Sequence, residues 1–481
     1  MDADGVWCKR CRGNHLASPC CRVGLLRRSP RIRCRVDGED HISALPDDLR
    51  KKIASHLHCA RAAANMSLLS HSWRGLWRGL PVLDFHDIAP GPLHAALAQV
   101  ACPAGSLNIC LSQHHDLSAA GATSLLHAAA SLEPAKLDVT LCLGIERHSS
   151  RATLELPGFE RTTSITLAFS GERVILRPVG DFNALEVLYL ENCHPMNLDD
   201  LFPHCPHLRK LTISVWPLDS IKVHSSSIQD LDMYVVSSLR VVDIAAPSLR
   251  KLRFDACQGT GDDFSLSFSA PLLEDVEWRS PCCSSFGVMW RMWNLTLLKT
   301  PAYGPHLASS VEDSCLQLHI VGNPYPSGNI FRSFGQDISR IPARRITILE
   351  LNIVTGLHVY GAVVVDLLER FTSIEKLGMM LGRCPVTELR GTCPASCPCH
   401  QPSNWRSRCI PLFELKVVEV HGFSGEDHEA DLLKVILKSA PMLESVNLGF
   451  TRNVSPESCS SYEELLNMLE EYPSIQFDLY Y

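Results

Sequence analysis

The chain has 481 residues, 46% of them hydrophobic and 20% charged. That composition is globular rather than disordered, with room for two or three domains or one long repeat array. A formal net charge of −7 gives no support to nucleic-acid binding as the main activity, and no apolar run reaches the length of a membrane span.

The first 36 residues differ from the rest, with nine Lys or Arg against two Asp, and with Cys8, Cys11, Cys20, Cys21 and Cys34. Cys8-x-x-Cys11 is half of a zinc spacing without its second pair, and the basic run Arg27 to Arg35 is too short to distinguish nuclear import from chance. A disordered leader is expected. The whole chain holds 21 cysteines, an odd number and about 4% of its residues, too sparse for a disulfide scaffold. With no apolar signal peptide at the start, the thiols are expected to be reduced and mostly buried, in cytosol or nucleus.

Residues 40–85 carry three short helical patterns. Pro46 suits the first position of a helix, and Asp47 and Asp48 suit the positive end of its dipole. Leu45, Leu49, Ile53 and Leu57 recur every fourth residue and share one face. Trp73, Leu76, Trp77 and Leu80 form a second apolar stripe, predicting a later helix, and Met66 and Leu69 are placed to face inward. So small a unit can hardly bury two tryptophans and several leucines by itself, so part of this surface is expected to meet a partner.

At these residues the sequence resembles the F-box family. Leu45-Pro46-Asp47-Asp48-Leu49, Ile53 and Leu57 match its opening helix; Ser67-Leu68-Leu69-Ser70 and Trp73-Arg74-Gly75-Leu76-Trp77 match its second half, especially in plant members. Arg50 and Ala54 depart from the pattern, standing where the family often has leucines. The resemblance implies a three-helix motif that docks on a Skp-type adaptor, and so on a cullin, through Leu45, Pro46, Leu49, Ile53, Leu57, Trp73, Leu76 and Trp77.

From about residue 105 onward one phrase returns: leucine, two residues, apolar, one residue, apolar, and residues 105–426 are assigned to the array it builds. It begins at Leu185, Leu208, Ile228, Leu249 and Leu273, at separations of 23, 20, 21 and 24 residues, and again at Ile374, Leu415 and Leu443. That period and phrase predict leucine-rich repeats, giving an α/β fold in which a curved, strand-lined solenoid follows the small three-helix domain. Degenerate early repeats are expected around Leu107, Leu137 and Ile165, with a helix over Ala119 to Leu132. Cys193 and Cys257 fall where such repeats satisfy turn backbone groups. Residues 280–345 and 383–411 break the period and are expected as irregular insertions. The segment from Leu415 to Leu448 resembles the FBD-type tail of plant F-box proteins. Residues 427–481 are expected to cap the array with two amphipathic helices, the second opened by Ser461 and Glu464 as a capping box, and a final strand through Ile475, Phe477 and Leu479.

No catalytic constellation is visible. Gly259-x-Gly261 lacks the third glycine of a dinucleotide loop, and Ser424 lacks a nucleophile elbow. Cys393, Cys397, Cys399, His400 and Cys409 suit zinc by residue type, but their spacing is unlike paired zinc knuckles, so a loop with free thiols and no metal or cofactor is expected. The expected function is non-catalytic recruitment of a target protein to a Skp–cullin–F-box ubiquitin ligase, with no nucleic acid and no membrane as partner. The strand positions pointing away from the core, Tyr189, Thr212, Asp232, Arg253, Glu277, Glu419 and Asn447, are the expected target-binding ribbon. The competing reading is a repeat scaffold that works without the adaptor.

Overall fold

The computed structural model describes residues 45–144, 152–235, 239–279, 293–299, 315–322, 346–382, 397–451 and 462–480, short gaps within those spans aside, and two-residue strands Trp7–Cys8 and Gly13–Asn14. Those two strands pair antiparallel; the other residues of the expected disordered leader lie outside the described residues. The chain divides into two compact units, residues 1–216 and 217–481.

In the first unit, helix Asp47–Ser55 begins one residue later than the sequence suggests, with Pro46 as its N-cap and Asp47 and Asp48 in its first turn. Helix Ala60–Asn65 follows. The third helix expected from the Trp73–Leu80 stripe is instead two short 3-10 turns, His71–Trp73 and Leu76–Gly79. Gly75 separates them at φ 73°, a left-handed conformation that interrupts a right-handed helix and that glycine enters at little cost. The stripe still buries Trp73, Trp77 and Leu80.

A parallel sheet follows, with strands Val82–His86, Ser106–Leu111, Lys136–Cys142, Ser164–Ser170, Val187–Glu191 and Lys210–Val215 in that order. Leu83 and Phe85 are already buried strand residues, so the repeats start within the segment assigned to the helical domain and well before residue 105. Helices Pro90–Leu97 and Ala119–Ala130 return the chain after the first two strands. Further on, a second parallel layer of strands Ala152–Leu156, Val174–Pro178 and Cys193–Pro195 takes their place. Asn192, at φ 54°, donates from Nδ2 to the Phe169 carbonyl at 2.9 Å, and the Cys193 thiol donates to the Leu167 carbonyl at 3.7 Å. Turn groups are thus tied across rungs, as the place of Cys193 eight residues after Leu185 suggests; Cys257 lies outside the described residues.

The second unit repeats the plan with ten described strands in its main sheet. Asp230–Val235, Lys251–Ala256 and Asp275–Arg279 pair parallel. Trp293–Lys299 then runs antiparallel to both its neighbours. Cys315–Gly322, Ile348–Val354, Lys376–Gly382, Val417–Phe423, Ser445–Phe450 and Gln476–Tyr480 resume the parallel ladder. The 280–345 stretch is therefore not simply an insertion: it supplies two strands, one of them reversed. Strands Ser220–His224, Leu239–Ala245 and Thr260–Ser269 form a flanking parallel layer.

Helices Gly361–Arg370 and Asp427–Ser439 bury their apolar sides beneath this sheet. Between them the 3-10 turn Ser403–Ser407 inserts the fully buried Trp405, whose ring lies so near Gly361 that a Cβ there would come within 2.3 Å. Arg406 stacks on the Trp405 ring and pairs with Asp431 at 2.6 Å. Arg408 pairs with Asp366 at 3.2 Å and Glu369 at 3.0 Å. The later part of the 383–411 break is thus an anchored wedge.

The capping box belongs to helix Asp427–Ser439, between Glu426 and Glu429; Ser461 lies outside the described residues. That helix buries Leu432, Leu433, Ile436, Leu437 and the following Ala440, as the pattern predicts. Beyond it, however, the ladder continues through Ser445–Phe450, helix Tyr462–Glu471 and Gln476–Tyr480. The segment expected as a cap adds two rungs, and its final strand leaves Phe477 and Leu479 only half-buried.

Candidate protein-interaction sites

Helix Asp47–Ser55 is asymmetric. Leu49, Ile53 and, just past its end, Leu57 are 47%, 39% and 42% exposed, an apolar row on one face. Ala54 is buried, and the Arg50 guanidinium turns inward to donate to the Ser72 carbonyl and to pair with Asp47. Both departures from the F-box pattern therefore lie off the exposed row. Leu68 is also exposed, Leu45 and Leu76 are half-buried, and Pro46 is exposed. Met66 is half-buried, while Leu69 lies outside the described residues. Trp73 and Trp77 form the inner support.

The expected ribbon residues occupy matched positions on their strands. In the first unit Tyr189 pairs with Thr212, and Tyr189 donates to Glu191 at 2.8 Å. In the second, Asp232, Arg253 and Glu277 are in register on successive strands, and Glu419 pairs with Asn447. Because the reversed strand keeps alternate residues on the same face, Lys299 continues the row from Glu277 to Gln317, then Glu350, Gly378 and Glu419. Lys299 and Gln317 escape the sequence reading because residues 280–345 lack the repeat phrase; Glu350 lies just beyond, in Ile346-x-x-Leu349-x-Leu351, a copy of the phrase that reading passed over.

A cavity of about 470 Å³ opens on this face, with Gly378 in its lining among Gln317, His319, Glu350, Asn352, Lys376, Met380, Glu419 and His421. Lys376 pairs with Glu419 at 2.8 Å, and Gln317 donates to Glu350 at 2.6 Å. Burial pulls the His319 imidazole below its ordinary value, favouring its neutral form. The result is a recess with fixed charges of both signs, one exposed methionine and a neutral imidazole.

The cysteine loop is rearranged relative to the sequence expectation. Cys393 lies outside the described residues, Cys409 is exposed, and His400 is half-buried. Cys397 and Cys399 instead meet His358, from the turn before helix Gly361–Arg370. His358 is 39 residues upstream of Cys397, and no local spacing signals the meeting.

Residues 410–448 match the FBD family. This match begins before residue 427 and covers one strand, helix Asp427–Ser439 and the start of the next strand. The chain is 26% identical over 269 residues to an F-box/FBD/LRR-repeat protein of Arabidopsis thaliana, covering 51% of this chain and 52% of that protein. The chain thus spans about half the length of that curated relative. No solved structure matches. No helix among the described residues is long and apolar enough to cross a membrane. The chain is thus similar over about half its length to a plant F-box/FBD/LRR-repeat protein, and its residues 410–448 match the FBD family.

Proposed function

We propose that this chain is the target-recruiting subunit of a Skp–cullin–F-box ubiquitin ligase, its repeats forming a leucine-rich-repeat solenoid. The observation that carries the reading is the exposed row Leu49, Ile53 and Leu57 on a helix whose other side is anchored by Arg50 and Ala54. An apolar stripe left outside a small folded unit fits a groove on another protein. The buried tryptophans hold that row in place, and the exposed leucines and isoleucine make the adaptor contact. The open face of the sheet, with its mixed charges and its cavity at Gly378, receives the target protein. Catalysis is by proximity: a tethered target meets the ubiquitin-charged enzyme as an effectively unimolecular encounter.

Coexpression of the full chain with a Skp-type adaptor tests the docking half. The parent should bring the adaptor down, and Leu49→Asp with Ile53→Asp should not, while melting stays parental. Full adaptor recovery by the variant overturns the docking assignment. For the target half, Gly378→Leu fills the recess with little backbone cost, because a Cβ there meets nothing nearer than 3.6 Å. It should lower target capture and leave adaptor recovery unchanged.

A further inference from the structure

We propose that His358, Cys397 and Cys399 bind a zinc ion that fastens the 397–411 wedge to the turn leading into helix Gly361–Arg370. Their ligand atoms all lie within 4.8 Å of one another, and all three residues are buried. The Cys397 Sγ to His358 Nδ1 distance is 3.4 Å. With Zn–N near 2.0–2.1 Å and Zn–S near 2.3 Å, a tetrahedral ion sets that edge at about 3.6 Å, so this pair need hardly move and Cys399 closes in from within 4.8 Å.

The backbone holds them there. The His400 amide donates to the Cys397 carbonyl at 3.1 Å, closing the tight turn Pro398–His400 and bringing the two thiols to one side. The His358 amide donates to the Thr355 carbonyl at 2.9 Å, and its ring meets Trp293 edge-on with centroids 6.3 Å apart. Neither cysteine is in a disulfide.

The chemistry favours zinc over hard cations, because thiolate and imidazole are soft or borderline donors. On binding, both thiols release their protons and the imidazole stays neutral. The two thiolates then cancel the dication, so no net charge is buried. Water fills the remaining corner. The ion would lock in place the segment that delivers Trp405 between the two helices, a link between parts of the chain far apart in sequence.

The test uses the full chain, without a histidine tag, purified from zinc-supplemented cells and washed with chelator. Elemental analysis should find about one zinc per chain in the parent and in Cys409→Ser, whose exposed thiol is outside the trio. Cys397→Ser with Cys399→Ser should lose more than about tenfold in bound zinc, since even outer-shell changes cost that much. Cobalt added to metal-stripped parent should give thiolate charge-transfer and tetrahedral d–d absorption. If the double variant is insoluble, His358→Cys serves instead, retaining metal with a stronger cobalt charge-transfer band. A parent with neither zinc nor cobalt absorption shows a thiol–imidazole hydrogen bond only, and overturns the proposal. Undiminished zinc in the double variant places the metal elsewhere and also overturns it.

Discussion

The helical domain at the start of the first unit and the sheet of the second unit divide their apolar residues in opposite ways. The helical domain hides its two tryptophans and leaves Leu49, Ile53, Leu57 and Leu68 outside. The sheet hides nearly every phrase leucine, and its open face shows Asp232, Arg253, Glu350 and Glu419. The cause is geometric: each rung of a parallel array covers its neighbours, whereas two short helices and three 3-10 turns have no further layer to cover them. Exposed apolar surface therefore marks one of the two proposed interaction sites, and arranged polar surface the other.

The contrast breaks most visibly in the buried frame. Trp405→Ala should cost about 3–5 kcal/mol, because a fully buried indole leaves a cavity between helices Gly361–Arg370 and Asp427–Ser439. Leu49→Ala should change stability by no more than about 0.5 kcal/mol, as for ordinary surface positions. Chemical denaturation measures both, and equal effects would erase the distinction between the two regions.

Glu429→Ala comes next, at about 2–3 kcal/mol for leaving buried donors unpaired. Its Oε2 accepts amide N–H bonds from Ser424 at 2.9 Å, Gly425 at 2.7 Å and Glu426 at 3.1 Å, and its Oε1 accepts from the Tyr360 hydroxyl at 3.2 Å. Glu429→Gln should be milder, because an amide oxygen can keep the three backbone bonds. Burial raises the Glu429 carboxyl above its ordinary 4.5, against the pull of those bonds. The folded state then holds its proton to higher pH than the unfolded chain does. This group's contribution is complete below pH 4.5 and is lost as pH rises through the raised value. Glu429→Gln should remove that component of the pH slope; a slope identical to the parent's would show that the carboxyl is already ionised there.

Much of this frame is legible from sequence, and the exceptions have physical causes. A phrase such as Leu185-x-x-Leu188-x-Leu190 declares its strand because burial on one face forces a period of two. The reversed strand Trp293–Lys299 carries no such phrase, and a run read without strand direction cannot reveal an antiparallel neighbour. The Trp73–Leu80 stripe shows which side chains go inward but not the backbone they use, because Gly75 changes the helix type without changing the apolar spacing. His358 and Cys397 meet through packing alone, 39 positions apart in the chain.

Docking sharpens the comparison from the other side. Leu49→Asp with Ile53→Asp should weaken adaptor affinity by about 2 kcal/mol or more, roughly thirtyfold, while the melting temperature holds. Trp77→Ala should do the reverse in proportion, lowering stability first and affinity only through it, because that side chain is buried inside the domain. Titration calorimetry at a temperature where all variants are folded separates the two. Parental affinity in the double aspartate variant would mean that the exposed row is ordinary surface.

The smallest effect is expected on the polar row. Arg253 is 62% exposed and lies 3.9 Å from a Glu277 carboxylate that is only 15% exposed and that Arg279 also pairs with. Water screens the outer guanidinium, and Arg279 remains to neutralise Glu277 when Arg253 is removed. Arg253→Ala should therefore cost less than about 0.5 kcal/mol, within the range of exposed ion pairs. Its consequence should appear in binding instead. A charge held in register with Asp232 and Glu277 on a rigid strand is pre-organised for a partner, and Arg253→Glu adds repulsion where the parent has attraction. Target capture should fall at least about tenfold in Arg253→Glu, with most of the loss in association rate and growing smaller at high salt. A loss of several kcal/mol in stability would place Arg253 in the frame rather than on the binding face. Undiminished capture at low salt would move the target away from this row, toward the recess around Gly378.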